Sequence, residues 1–443
     1  MSNIVRLASG TSSSTREKVG FAAFGSGHQR GDDSRHKQGG REQEDDLHLE
    51  QEADVAIVGA GLSGCLAATV LGRAGYRVAL IDRYAQYPPE FRVEKIGGDQ
   101  VEWLRRLDLM DTIAASSTRV DQVLNVSRGK VIDLTNTSHY GFLYQDLINV
   151  VRAQFPERVK LIVGKATNLH ATPSRQQVEL ADGNTVNARL IIIATGMATG
   201  VVHKLGVVRK IVSEKHSITL GFDIAPAAGT TFNFQALTYY GETTSDCVDY
   251  LSLFPIGSYM RANLFNFRDS RDPWLRRVRA MPEVTLLDTL PGLRSFLGDF
   301  RVTSKVQNWT MDLYRLENYL CDGVVLIGDA FQTSCPAAGT GVSRLLAEVH
   351  QLCKVHVPRW LASPGMEAGK IAQFYADPVK QRSDRRAIRL SNYRRSLTME
   401  NSWTWDMHRR QAFLRRKIIG WVRNTYSGQL GFHRPAEWRS ICR

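Results

Sequence analysis

Long apolar runs are missing from this 443-residue chain: the longest, residues 55–71, is broken by glycines and is too short to span a bilayer. Residues 1–10 lack the apolar core that a secretory signal needs. Cysteines are few: the six, at 65, 247, 321, 335, 353 and 442, form no Cys-x-x-Cys and no metal-ligand spacing. That excludes a disulfide scaffold and a cysteine-held metal, and reads as buried thiols in the reducing cytoplasm. Cys335 falls in a glycine-rich loop, where small-residue packing is favoured over a redox role. No nucleic-acid motif accompanies the formal charge of +13, so nucleic acid is not an expected partner.

Hydrophobic residues make up 43% of the chain, enough for a sizeable core and two domains. The charge is unevenly placed. Residues 1–50 carry seven Lys/Arg and eight Asp/Glu in a Ser/Gly/Gln/Arg-rich run, and read as a disordered leader. A transit peptide fits less well, because acids accumulate from Asp32 onward. Residues 379–443 hold sixteen Lys/Arg against four acids. Within them 384–393 is a basic helical pattern, and 413–422 sets Phe413, Leu414, Ile418, Trp421 and Val422 among arginines. The favoured reading is a helical layer packed on the body with its cations in water. The second is peripheral contact with an anionic membrane surface.

Two glycine-rich units organise the rest. In the first, 55–58 is a β-branched strand, followed by Gly59, Gly61 and Gly64 in GxGxxG spacing. The first glycine permits the tight turn, the second lets backbone approach a pyrophosphate, and the third lets the helix pack on the strand. Helix 62–74 aims its N-terminal NH groups at phosphates. Strand 76–81 ends in Asp82, placed to bind ribose hydroxyls. In the second unit, strand 324–327 closes on Gly328 and Asp329, and Pro336, Gly339 and Gly341 precede helix 342–352. A strand-end Asp can accept hydrogen bonds from a polyol, and a glycine-rich helix start can face an electron-accepting ring.

Over residues 53–350 this pair resembles the FAD-dependent class A flavoprotein monooxygenases, the para-hydroxybenzoate hydroxylase-like enzymes with a glutathione-reductase-type FAD fold. The resemblance implies an α/β chain: a Rossmann-like FAD-binding domain (51–215 and 300–360), an inserted β-sheet substrate domain (216–299) and a basic helical C-terminal region (361–443). It assigns the ADP half of FAD to Gly59, Gly61, Gly64 and Asp82, with Ala60, Leu62, Ser63 and Arg83 beside them. Gly328 and Asp329 take the ribityl chain, and Pro336, Gly339, Thr340, Gly341 and Val342 lie by the isoalloxazine. Arg92 or Lys95 meets the pyrophosphate. Two departures stand out: Gln145 replaces the family's clamping arginine, and Thr195 and Gly196 replace its mid-chain Asp-Gly pair, which weakens the case for direct NADPH use. No second GxGxxG marks a separate nicotinamide domain.

Strand patterns at 217–224, 231–240, 249–254, 259–267 and 302–310 suit the substrate sheet. Arg261, Tyr239, Phe254 and Trp309 are the pocket candidates, Arg261 for an acidic group and Tyr239 for a phenol. No catalytic acid or base announces itself. The related halogenases carry Trp-x-Trp-x-Ile-Pro in mid-chain. Here Trp403, Thr404 and Trp405 come after the second glycine unit without Ile-Pro, and Lys130 reads as ordinary strand.

The implied activity is hydroxylation of a small aromatic or lipophilic substrate by O2 through a flavin C4a-hydroperoxide, with NADH or NADPH as reductant. A geranylgeranyl reductase-like FAD reductase or dehydrogenase, and a non-catalytic FAD- or partner-binding protein, are the alternatives.

Overall fold

The computed structural model describes residues 4–5, 49–198 and 200–428. Most of the 1–50 leader, Cys442 and the tail beyond Gly428 therefore lie outside the described residues. Among the described residues no helix is long and apolar enough to cross a membrane.

Both glycine units feed one parallel sheet. Its six strands run in the order Ile4–Val5, Val159–Val163, Val78–Asp82, Val55–Val58, Leu190–Ile193 and Val324–Leu326. Ile57 pairs with Leu80 on one side and Ile192 on the other, and Ile192 pairs with Val325. The Val55–Val58 and Leu190–Ile193 strands are buried throughout, as strands covered on both faces must be. This register brings Gly59, Asp82, Ala194 and Ile327 to the same carboxyl edge, where open α/β sheets bind ligands. A four-stranded sheet, Glu50–Glu52, Thr185–Ala188, Gln176–Leu180 and Ala166–Ala171, lies in sequence between these strands.

The third sheet has nine strands and reaches well past residues 216–299. It takes in Lys95–Ile96, Thr118–Ser127 and Lys130–Gly141 from upstream, and Phe300–Val302 and Gln307–Glu317 from downstream. Its longest member, Val208–Pro226, pairs with Tyr259–Asn266, Phe300–Val302 and Gln307–Glu317. One face packs Leu251, Leu253, Leu264 and Phe222 against Leu275, Val278, Leu286 and Leu293 of short helices. The other face turns toward the glycine units, so the sheet forms the far wall of the site.

The C-terminal region is helical. Asp377 caps the helix Pro378–Met399 by accepting from Val379 N and Lys380 N, with Pro378 at its first position. Its cations are not all in water. Lys380 is fully buried between Glu348 (2.6 Å) and Asp384 (2.9 Å), and Arg394 pairs with buried Asp249. The next helix, Trp403–Gly428, lays Arg416 over Tyr240 and leaves Trp403, Met407, Leu414, Ile418 and Ile419 exposed.

Candidate functional site

A single cavity of about 850 Å³ runs from the first glycine loop past the second to the nine-stranded sheet. At its dinucleotide end Gly59 adopts φ +101, and a Cβ there would sit 2.6 Å from Ala194 O. A Cβ on Gly64 would lie 1.9 Å from Gly59 O, so helix Leu62–Arg73 reaches the strand only because Gly64 has no side chain. Gly61 is open except for Tyr144 Oη at 3.8 Å, which leaves backbone free to meet a pyrophosphate. Asp82 holds the loop from below: Oδ2 accepts from Ala60 N (2.6 Å) and Oδ1 from Tyr84 N (3.0 Å). Leu62, Ser63, Asp82 and Arg83 line this end, whereas Ala60 and Gly64 act from behind it.

Two residues that the sequence did not single out complete this end. Tyr144, at the start of helix Tyr144–Arg152, lines the cavity and sits 3.4 Å from Leu62 N. Burial pushes its phenol up to about 12. At the other end of that helix, Arg152 donates to Ala60 O (2.8 Å), Tyr84 O and Ala85 O (both 2.9 Å), and lies 3.9 Å from Asp82. Gln145, the expected stand-in for a clamping arginine, does not line the cavity. A buried arginine comes instead from later in the same helix; its place on the helix's apolar face was the available signal.

In the middle of the cavity Asp329 sits between two arginines, Arg92 (3.6 Å) and Arg344 (3.5 Å). Arg92 also pairs with Glu90 at 2.8 Å and stacks on Trp309, 4.5 Å from its ring centre. Gly328, at φ +62, leaves room for Ser63 Oγ, which a Cβ would approach to 2.4 Å. Beneath the loop lies a buried ionic cluster. Arg344 contacts Glu348 (3.1 Å), Lys380 bridges Glu348 and Asp384, and Glu348 Oε2 accepts from Gly328 N at 2.8 Å. Pro336, Gly339, Gly341 and Val342 line the cavity at the start of helix Gly341–His350, and buried Thr340 does not. Cys335 beside them is fully buried, its thiol pushed up to about 11 by burial and bonded to Ser217 Oγ, which suits packing.

The far wall follows from sheet register. Tyr250, Ser252 and Phe254 alternate onto the cavity face of one strand, and Asn263 and Phe265 onto that of its neighbour, where Ser252 pairs with Asn263 and Tyr250 with Phe265. Thr219 opposes both Phe265 and Trp309, extending the row across four strands. Of the four pocket candidates, Phe254 and Trp309 line the cavity. Tyr239 pairs with Leu251 and so faces the opposite, apolar side, bonded to Glu242 and Gly129 N. Arg261 is on the right face but does not line the cavity. Glu94 (2.8 and 2.7 Å), Asp223 (3.0 Å) and Gln307 (2.9 Å) take up its guanidinium, and Phe91 lies against it. It cannot hold a substrate acid while so paired. Lys95 turns to this wall as well, donating to Ser252 Oγ at 2.8 Å beside His139 and Phe254. Thr195 and Gly196 line the cavity; Trp403, Trp405 and Lys130 do not.

These features fit a bound flavin dinucleotide: glycine backbone open at one end, a carboxylate at the bend, and a helix start opposite an aromatic wall. A family model described as FAD binding domain matches residues 52–355. No curated protein matches the sequence. Among solved structures, the p-nitrophenol 4-monooxygenase PnpA from Pseudomonas putida DLL-E4 is similar at a TM-score of 0.67 and 15% identity, over 84% of this chain and 94% of that one. PqsL from P. aeruginosa, in complex with 2-aminobenzoylacetate, gives 0.61 at 16% identity, over 79% and 97%. The flavin-dependent brominase Bmp2 gives 0.59 at 17%, over 74% and 83%. Likeness at these identities is a likeness of fold.

Proposed function

The chain belongs to the FAD binding domain family, and on that premise we propose that it is an FAD-dependent monooxygenase acting on a small aromatic or lipophilic substrate, with O2 as oxidant and NADH or NADPH as reductant. The observation that carries this reading is the continuity of one cavity from the dinucleotide loop to an aromatic wall. PnpA is named for p-nitrophenol and PqsL was crystallised with 2-aminobenzoylacetate, both carrying a benzene ring, which supports the substrate class. Bound FAD supplies two-electron redox chemistry and, once reduced, delivery of one oxygen atom from O2 to the substrate.

The chain's own residues supply position and field. The glycine loop, braced by Asp82 and Arg152, holds the ADP half. Asp329, set between Arg92 and Arg344, faces the polyol. The helix start at Gly341 presents its positive dipole end to negative charge that develops on the ring. Phe254, Phe265 and Trp309 exclude water from the reacting face and offer flat surfaces to an aromatic ring.

The test begins with the visible spectrum of the purified protein. Anaerobic reduction by NADH or NADPH comes next, then readmission of 18O2 with candidate phenols and aromatic acids. One labelled oxygen atom in the product is the expected result. Colourless protein that cannot be reconstituted with FAD would sink the reading, and turnover without oxygen would transfer it to the reductase class.

A further inference from the structure

Four groups on the sheet wall lack what their chemistry asks for. Lys95 lines the cavity without a carboxylate within ion-pair distance among the described residues. Arg261, on the same face of the sheet, is paired with both Glu94 and Asp223. The Lys95 ammonium makes one hydrogen bond, to Ser252 Oγ, and stands 5.0 Å from the centre of the Phe254 ring. Since Ser252 Oγ accepts that bond, its own proton is free to donate. Next to them His139 Nδ1 is buried without a partner, as are Asn263 Oδ1 and Thr219 Oγ1 in the adjoining rows. A half-buried cation with no counter-charge, on a wall that also carries unpartnered polar atoms, is unfavourable unless a ligand completes it.

Resting on the reading of the cavity as a flavin and aromatic-substrate site, we propose that Lys95, with Ser252, is the anchor for a carboxylate carried by the aromatic substrate. The two donors suit two oxygens of one anion, and the Phe254 ring beside them suits the flat body attached to it. Lys95 belongs to the nine-stranded sheet, pairing through its backbone with Gly141, so the anchor moves with the substrate wall and not with the dinucleotide loop. Its low proton affinity, near 8 through burial, is that of an amine awaiting an anion. Asn263 and Thr219 then stand further along the wall, to meet polar substituents of the same molecule.

The experiment uses the full chain loaded with FAD and a panel running from benzoate to 2-naphthoate, each acid beside its uncharged amide. Binding is read by calorimetry and by perturbation of the flavin spectrum. Acids are expected to bind at least tenfold more tightly than their amides, with the preference gone in Lys95→Met and reduced several-fold in Ser252→Ala. Affinity for FAD, from quenching of flavin fluorescence, is expected to be unchanged in both variants. Acids that bind no better than amides, or a preference that survives in Lys95→Met, would overturn the proposal. So would a loss of FAD affinity in Lys95→Met with no change in acid binding, which would give the amine to the flavin. A wild-type chain that takes up no FAD, seen before any acid is added, removes the underlying reading and this inference with it.

Discussion

Arg152 shows how much of the site hangs on single side chains. Its guanidinium meets three backbone carbonyls, at residues 60, 84 and 85, that otherwise point at one another around the dinucleotide loop. Charged hydrogen bonds of this kind are worth about 1.5–3 kcal/mol each. Arg152→Met is therefore expected to weaken FAD binding roughly 10- to 100-fold, read by fluorescence titration. Gly64 works by having nothing to offer: any Cβ would overlap Gly59 O. Gly64→Ala should cost about 3 kcal/mol of stability, visible as a lower denaturant midpoint, because the obstacle is backbone and cannot rotate away. Gly64 could be picked out by spacing alone. Arg152 had only its place on the helix's apolar face as a signal, and an arginine on an amphipathic helix is ordinarily solvated; the fold is what carries its head under the loop.

At the scale of elements, the helix Pro378–Met399 is tied to the flavin side by charge. Lys380 joins Glu348 and Asp384 in the interior and lies 3.9 Å from the Phe331 ring centre, while Glu348 holds Gly328 N. Removing one member of a buried ionic cluster strands the others. Lys380→Ala should thus destabilise the protein by about 3–5 kcal/mol and lower FAD affinity with it, since Gly328 and Asp329 lose their backing. Chemical denaturation and flavin titration on the same sample would separate the two effects; full stability in the variant would show that the cluster relaxes. The basic composition of this helix was plain in the sequence, but which cations meet buried acids was not. Partners such as Lys380 and Glu348 are 32 residues apart, beyond any helical periodicity.

For the whole molecule the clearest consequence is in pH. Burial, helped by Lys95 and Arg395 respectively, holds His139 and His216 down to about 4. Their ordinary value is 6.5, so the unfolded chain takes up protons first as pH falls, and stability drops between about 6.5 and 4. His216, wholly buried between Ser213 Oγ and Ser391 O, should account for up to about 3 kcal/mol of that loss. Melting curves of His216→Gln should be flatter across this window. Lys95 acts at the alkaline side. Its folded value near 8 lies below the usual 10.5, so the unfolded chain binds the extra proton and stability rises with pH between the two. Lys95→Met should melt higher than wild type at pH 7 and lack that alkaline rise.

By itself, the sequence determined the elements whose signal is local. Both strand–glycine–helix units, the acid at the end of the second strand and the helical character of the tail follow from propensity, glycine spacing and composition, and these act over a dozen residues or so. Tertiary structure decided what depends on register and on contacts between distant segments. Tyr239 and Arg261 read equally well as pocket residues, yet a shift of one position sends Tyr239 to the far face, and Glu94 with Asp223 occupies Arg261. The same register brings Lys95, His139 and Ser252 together from three strands. Side chains alternate across a sheet with a period of two, so which of them share a wall is settled only when every strand has found its partner.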